Sequence, residues 1–250
     1  MKQRRPLSVA ILGATSGMGR ALARRLAKRG DRVFVLGVDR GELERSAADL
    51  AVHAGSDVKW AECDLLRPET FGPAGAAADR ALGGVDTIVV TAALFATQDA
   101  LEKDPALTAK LLTADFTNTV LFCEEAKRLL LAGGGGTLCV FSSVAGDRGR
   151  KPVILYGASK AGLSAYLEGL DHKHHEGGLR VVTVKPGFVK TAMTAGLKPP
   201  PFAGEPDDVA ARVVRAIDRA EPVVYTPAPW AAVMGVIRGM PRFVMRRVGF

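Results

Sequence analysis

"SVAILGATSGMGRALARRLAKRG", residues 8–30, passes from an apolar run through a glycine loop into an Ala/Leu helix without any intervening linker. The run at 8–13 is short, apolar and closed by glycine, which reads as a buried strand. The loop "GATSGMG" (13–19) has the spacing G-x-x-x-G-x-G. Gly13 permits the tight turn, while Gly17 and Gly19 let backbone come close to a ligand and let helix pack on strand. The following helix, through about Arg29, offers free N–H groups at its N-terminus to a pyrophosphate. In this strand–loop–helix setting the loop reads as a dinucleotide cradle; standing alone it would be only a tight turn.

The same alternation continues along the chain. Further apolar runs lie at 32–38, 58–63, 85–92, 137–143, 179–187 and 222–227. Helical stretches separate them, near 41–54, up to "ADRALGG", at about 106–131, 156–175 and 206–220. Nearly continuous Val/Ile/Leu runs divided by helices imply a parallel sheet covered on both faces. No internal repeat or linker divides the chain. The expected fold is α/β, a single Rossmann-fold domain over 1–228, with a doubly wound parallel sheet of about seven strands and a basic tail at 229–250.

Composition narrows the function. The 250 residues suffice for one well-buried core, and about half are apolar. Cys63, Cys123 and Cys139 are scattered, which fits no disulfide framework or metal cluster and suggests a reducing, cytoplasmic setting. The basic start and "LSVAIL" lack a cleavage pattern, and no run is long enough to span a membrane. The net charge of +8 implies anionic partners. The arginines of the first helix recur four apart, as on a solvated face, so no nucleic-acid footprint is read from them. His172 and His175 lie three apart in "DHKHHE", but with no supporting ligand cluster they read as a wet helix end, and no metal is expected.

"LYGASKA" (155–161) carries the chemistry. Tyr156 and Lys160 share one helix face. A phenol is a poor acid–base catalyst near neutrality because its ordinary pKa is about 10. A neighbouring ammonium favours the phenolate, so Lys160 is expected to lower that value. Ser143 ends the fifth strand, at the sheet edge where ligands gather, and its hydroxyl can hold a carbonyl oxygen. Together these groups can protonate an oxygen while hydride reaches the adjacent carbon, or do the reverse.

In this order and spacing, the glycine loop, Ser143, Tyr156 and Lys160 resemble the short-chain dehydrogenase/reductase superfamily of classical type, over nearly the whole chain. The resemblance implies an NAD(P)-dependent oxidoreductase acting on a carbonyl or secondary alcohol. It implies cofactor contacts from Gly13, Thr15, Ser16, Gly17, Met18, Gly19, Asp39, Arg40, Asp64, Leu65, Ala92, Tyr156, Lys160, Pro186, Gly187, Val189 and Thr191. Asp64 of "CDL" would meet adenine, and Thr191 of "KPGFVKTAM" the nicotinamide carboxamide. It also implies a homo-dimer or homo-tetramer, paired through the long helix and the Tyr156 helix.

The chain departs from that pattern in three places. Val90, Thr91, Ala92 and Ala93 stand where the family has Asn-Asn-Ala-Gly. Asp115 aligns with the family's fourth catalytic residue, an asparagine, with Asn118 the alternative if the helix is shifted by one turn. A carboxylate accepts only, and would oppose the phenolate or pair with Lys160. At the second strand end, Gly37 and Val38 replace the acid that binds a ribose hydroxyl, and Asp39 and Arg40 follow with opposite messages. The missing acid tilts the cofactor toward NADP.

In the tail, Arg238, Arg242 and Arg246 recur four apart beside Trp230, Phe243 and other apolar residues, with Pro241 set to kink or split the helix. Two readings stay open. One is a terminal helix packed on the core or on a second subunit. The other is an interfacial helix giving peripheral contact with the inner face of a membrane. The tail resembles that of the decaprenylphosphoryl-2-keto-ribose reductase-like members, which implies a lipid-linked keto-sugar or other apolar ketone as the small-molecule substrate. "KPPPFAGE" (198–205) reads as a loop covering the substrate or as a plain surface connection. A non-catalytic dinucleotide sensor or scaffold is the alternative to an enzyme.

Overall fold

The computed structural model describes residues 5–248, so residues 249 and 250 at the end of the tail lie outside it. Seven strands pair in the order β3-β2-β1-β4-β5-β6-β7, all parallel. They are β1 (Ser8–Leu12), β2 (Arg32–Gly37), β3 (Lys59–Glu62), β4 (Thr87–Val90), β5 (Gly136–Phe141), β6 (Leu179–Pro186) and β7 (Val223–Thr226). The order reverses between β1 and β4, and a crevice opens there at the carboxyl ends.

Helices cover both faces. α1 (Gly17–Lys28), α2 (Arg40–Ala54) and α3 (Phe71–Leu82) follow the first three strands. α4 (Gln98–Lys103), α5 (Pro105–Leu112) and α6 (Thr119–Ala132) follow β4, α7 (Ile154–His174) follows β5, and α8 (Pro206–Arg219) follows β6. α9 (Pro229–Gly239) and α10 (Arg242–Met245) form the tail. Strand side chains alternate between two cores. Val9, Ile11, Val35, Val89 and Val184 pack with Leu22 and Leu26 of α1 and Val213 of α8. Ala10, Leu12, Leu36, Ile88 and Val140 pack with Phe71, Phe122, Leu130 and Leu163 on the opposite face.

One expectation is corrected. The segment expected as one helix near 106–131 is α5, one π-helical turn over Thr113–Asn118, and α6. In the tail the split expected at Pro241 is present: proline has no N–H to give, and α9 and α10 are separate, so the three arginines do not share one continuous helix.

Leu22 is fully buried between α1 and the sheet. Leu22→Ala should cost about 2–5 kcal/mol, read as an earlier midpoint in urea unfolding with an unchanged slope.

Candidate active site

The glycine loop is closed tightly against β4. A Cβ on Gly13 would stand 2.6 Å from the Ala92 nitrogen, and Gly13 holds φ +93°. A Cβ on Gly19 would stand 2.1 Å from the Gly13 carbonyl oxygen. The Thr91 hydroxyl donates to the carbonyls of Leu12 and Gly13, each at 3.1 Å. Thr91 thereby ties β4 to the loop with its side chain, at the site where the family's first asparagines are missing.

Beside this loop lies a cleft of about 280 Å³. Gly13, Thr15, Ser16, Gly17, Met18 and Gly19 line one wall. Asp64, Leu65, Ala92, Leu94, Ala114, Thr191 and Met193 line the others. Thr191 faces Gly17 across the opening, its methyl 3.4 Å from where a Gly17 Cβ would be. The cradle and the helix N-terminus behind it fit a dinucleotide. The Asp64 carboxylate accepts from the Leu66 N–H at 2.8 Å and pairs with Arg67 at 3.3 Å.

Asp39 and Arg40 stand at the rim, outside the residues that line the cleft. The Asp39 carboxylate caps α2, accepting from the Glu42 N–H at 2.8 Å. Arg40 pairs with Glu44 at 3.0 Å and lies 5.6 Å from the Trp60 ring centre. Pro186 ends β6, Gly187 follows it, and Val189 is buried in the core under α8.

The acid–base corner is assembled by close backbone contact. Ser143 opens a single 3-10 turn, Val144–Gly146, and its hydroxyl accepts from the Ala145 N–H at 3.0 Å. That turn presses on α7. A Cβ on Gly146 would be 2.6 Å from the Lys160 carbonyl carbon, and one on Gly157 would be 2.8 Å from the Ala145 oxygen. These glycines let the Ser143 turn pack on α7, where the Ser143 hydroxyl favours the Tyr156 phenolate. Phe95 meets the Tyr156 ring edge-on at 5.3 Å. Sequence reading missed Gly146 and Gly157 because neither belongs to a recognisable spacing; only small residues beside Ser143 and Tyr156 hinted at them.

Behind Tyr156 lies a buried ion pair. Lys160 Nζ is 3.3 Å from Asp115 Oδ2, with side-chain exposures of 1% and 0%. Asp115 also accepts from the Leu94 N–H at 2.6 Å, which fixes the loop after β4. Asn118, one turn on, instead donates to the Leu65 carbonyl at 2.6 Å. The π-helical turn points both side chains inward, and Asp115 is the one that reaches Lys160. Burial pushes the Asp115 carboxyl up, against the pull of the Lys160 ammonium and the Leu94 N–H.

Lys160 lowers the Tyr156 pKa as expected, but a larger opposing effect decides the net direction. Burial raises the phenol above its ordinary value. The Lys160 ammonium, 5.5 Å from the ring centre, pulls it down, while the Asp115 carboxylate pushes it up again. The net direction is upward because burial outweighs the pull of Lys160, and the Asp115 carboxylate adds to it.

A second cluster anchors the Ser143 turn on its far side. Asp147 takes Lys185 Nζ at 2.6 Å and the Tyr225 hydroxyl at 2.7 Å. Val144 packs with Met234 and Ile237 of α9. Arg148 donates to the Met240 carbonyl and Lys151 to the Arg246 carbonyl, at 2.9 and 2.7 Å. A Cβ on Gly187 would fall 2.2 Å from the Trp230 indole nitrogen. That nitrogen donates to the Phe202 carbonyl at 3.2 Å, so α9 is hooked to the loop that leaves β6. None of these roles had a motif, since each joins residues far apart in sequence.

Comparison with known proteins agrees with this geometry. The family model described as short chain dehydrogenase matches residues 8–201. An uncharacterised oxidoreductase of Mycobacterium tuberculosis is 33% identical over 240 residues, 96% of either chain. An uncharacterised oxidoreductase of Streptomyces coelicolor is 34% identical, covering 97% of this chain and 96% of its own. A solved short-chain type dehydrogenase/reductase from Mycobacterium ulcerans superposes with a TM-score of 0.81 at 19% identity, over 90% of each chain.

Replacing Asp115 by asparagine keeps an acceptor for the Leu94 N–H and removes the charge that opposes the phenolate. Removing that charge lowers the Tyr156 pKa, so the deprotonated form appears at lower pH. In alcohol oxidation, which needs the phenolate, the rising limb of the pH–rate profile of Asp115→Asn should move to lower pH; an unmoved limb would separate Asp115 from the phenol.

Proposed function

This chain belongs to the short chain dehydrogenase family and is an NAD(P)-dependent oxidoreductase, and on that footing we propose that it interconverts a ketone and a secondary alcohol on a substrate with a large apolar part. The observation that carries this reading is the packing of the Ser143 turn on the Tyr156–Lys160 stretch of α7, with the Tyr156 ring against Phe95, the neighbour of the cleft-lining Leu94.

When bound, the nicotinamide supplies or takes the hydride. The protein's own groups handle the oxygen. Ser143 holds it by hydrogen bond, and Tyr156 gives the proton in reduction or removes it in oxidation. Because the phenol's pKa lies above its ordinary value, Tyr156 is protonated at neutral pH and ready to act as an acid. That state suits reduction. Lys160, one turn from Tyr156 on α7, is held in place by Asp115, whose neighbour Ala114 lines the cleft.

The apolar substrate is supported by the residues at the mouth. Met193 lines the cleft, with Leu197 and Phe202 exposed on the loop beyond it and Trp230 closing against Gly187. A lipid-linked keto-sugar is the narrower form of the same reading, supported by the resemblance of the tail. NADP is the favoured cofactor. No acid stands at Gly37 or Val38, the Asp39 carboxylate is engaged in capping α2, and Arg40 is an exposed cation at the rim. The non-catalytic reading has one observation in its favour, the carboxylate of Asp115 beside the phenol.

Two measurements test these statements. Tyr156→Phe should lower turnover of a ketone substrate at least about 100-fold; equal turnover would take the acid role from Tyr156, and dinucleotide binding with no turnover in the wild type would favour the scaffold reading. Fluorescence titration should show tighter binding of NADPH than NADH, and Arg40→Ala should erase the difference. A preference for NADH lost in Asp39→Ala would reverse the cofactor assignment.

A further inference from the structure

We propose that the face around the substrate mouth docks on an anionic lipid surface. Three segments make this face, 148–154, 188–204 and 227–248. Hydrogen bonds tie the first to the tail through Arg148 and Lys151, and tie the tail to the second through Trp230. Each segment starts beside the site, from Ser143, from Gly187 and from the end of β7.

The charge is concentrated here. The three segments hold three, two and four Lys or Arg residues, nine in all, and no Asp or Glu. The remainder of the chain then has 25 Lys and Arg against 26 Asp and Glu, so the whole excess of +8 belongs to this face. Several arginines elsewhere are matched, as Arg24 with Asp49 and Arg29 with Asp218, while Arg25, Arg80, Arg215 and Arg219 stand singly over the rest of the surface, the last three with acidic neighbours in the sequence. Lys190 pairs with Glu205 at the segment's edge. Arg238, Arg242, Arg246 and Arg247 form no ion pair among the described residues.

Large apolar side chains stand among these cations. Phe243 is 62% exposed, between Arg242 and Arg246; Val236 is 64%, Phe202 57% and Ile154 52% exposed. α9 buries Met234 and Ile237 against Val144, so packing on the domain uses a different set of residues from those left in solvent. A polyanion in water would match the cations but give the phenylalanines nothing. A bilayer with anionic headgroups satisfies both, with cations at the phosphates and apolar tips in the acyl boundary. Docked this way, the mouth beside Phe202 and Trp230 opens toward the lipid phase. That gives an apolar ketone a path that avoids water. The purpose of the surface rests on the substrate class proposed above; its existence does not.

The test is flotation of the full chain with phosphatidylcholine vesicles, with and without phosphatidylglycerol, at low and high salt. Binding should require phosphatidylglycerol and weaken with salt. Phe202→Ser with Phe243→Ser should weaken it about tenfold, and Arg242→Glu with Arg246→Glu should remove it, both with unchanged melting temperature and NADPH affinity. Failure of the wild type to float, or flotation of the charge-reversed variant as well as wild type, would overturn the proposal. So would loss of a solution dimer in these variants with no vesicle binding by wild type, which would make the face a contact between two copies. NADPH affinity and turnover of a water-soluble ketone are read separately, so failure here leaves the oxidoreductase reading untouched, and the reverse.

Discussion

Parallel pairing of all seven strands is the constraint on which the rest depends. Each crossover must return over a face of the sheet, so both faces are buried and neither can hold a wet site. Every strand then delivers its carboxyl end to one edge. The glycine loop after β1, Thr91 after β4, Ser143 after β5 and Thr191 after β6 converge there because the chain direction leaves them nowhere else to go. What remains to be arranged is distance, and glycines arrange it. Gly13 and Gly19 close the cradle, while Gly146 and Gly157 let the Ser143 turn touch α7.

Electrostatics at that edge run differently from what the Tyr–Lys spacing alone suggests. A lone ammonium next to a phenol favours ionisation. Here a carboxylate with no exposure stands 3.3 Å from the ammonium, both out of water, with the half-buried Tyr156 ring beside them. A buried pair of this kind contributes little net stability against its desolvation but fixes geometry, because leaving either partner alone is costly. Asp115 uses its second contact, to the Leu94 N–H, to fix the loop that walls the cleft. One side chain thus links the acid–base helix to the cofactor groove.

The fold was legible because its signals are local and repeated. Short apolar runs, a glycine loop and the helical stretches between them each announce themselves within a few residues. The strands observed match the expected runs to within one or two residues at their ends, β5 beginning one residue earlier, at Gly136. The chemical residues were legible as types and spacings. Their protonation was not, because the pKa of Tyr156 depends on burial and on Asp115, forty-one residues earlier in the chain. The Thr91 staple, the Asp147 cluster and the Trp230 hook were likewise out of reach, since each is a meeting of distant segments with no motif of its own. The π-helical turn was hidden too, because hydrophobic spacing over 106–131 tolerates one extra residue in a turn.

That turn makes the length of the chain between α5 and α6 a phase setting. One residue beyond regular winding rotates everything after it by about 100° relative to what precedes it. The two helices therefore share a direction but keep separate angular references, and α6 lays Phe122 and Ala126 on the sheet with its own. Asp115 and Asn118 lie in the wide turn where the references change. A single-residue deletion at 113–118 would leave composition almost untouched, yet it would swing the two inward side chains and the α6 core stripe out of register together. In this stretch spacing is as much a catalytic property as side-chain identity.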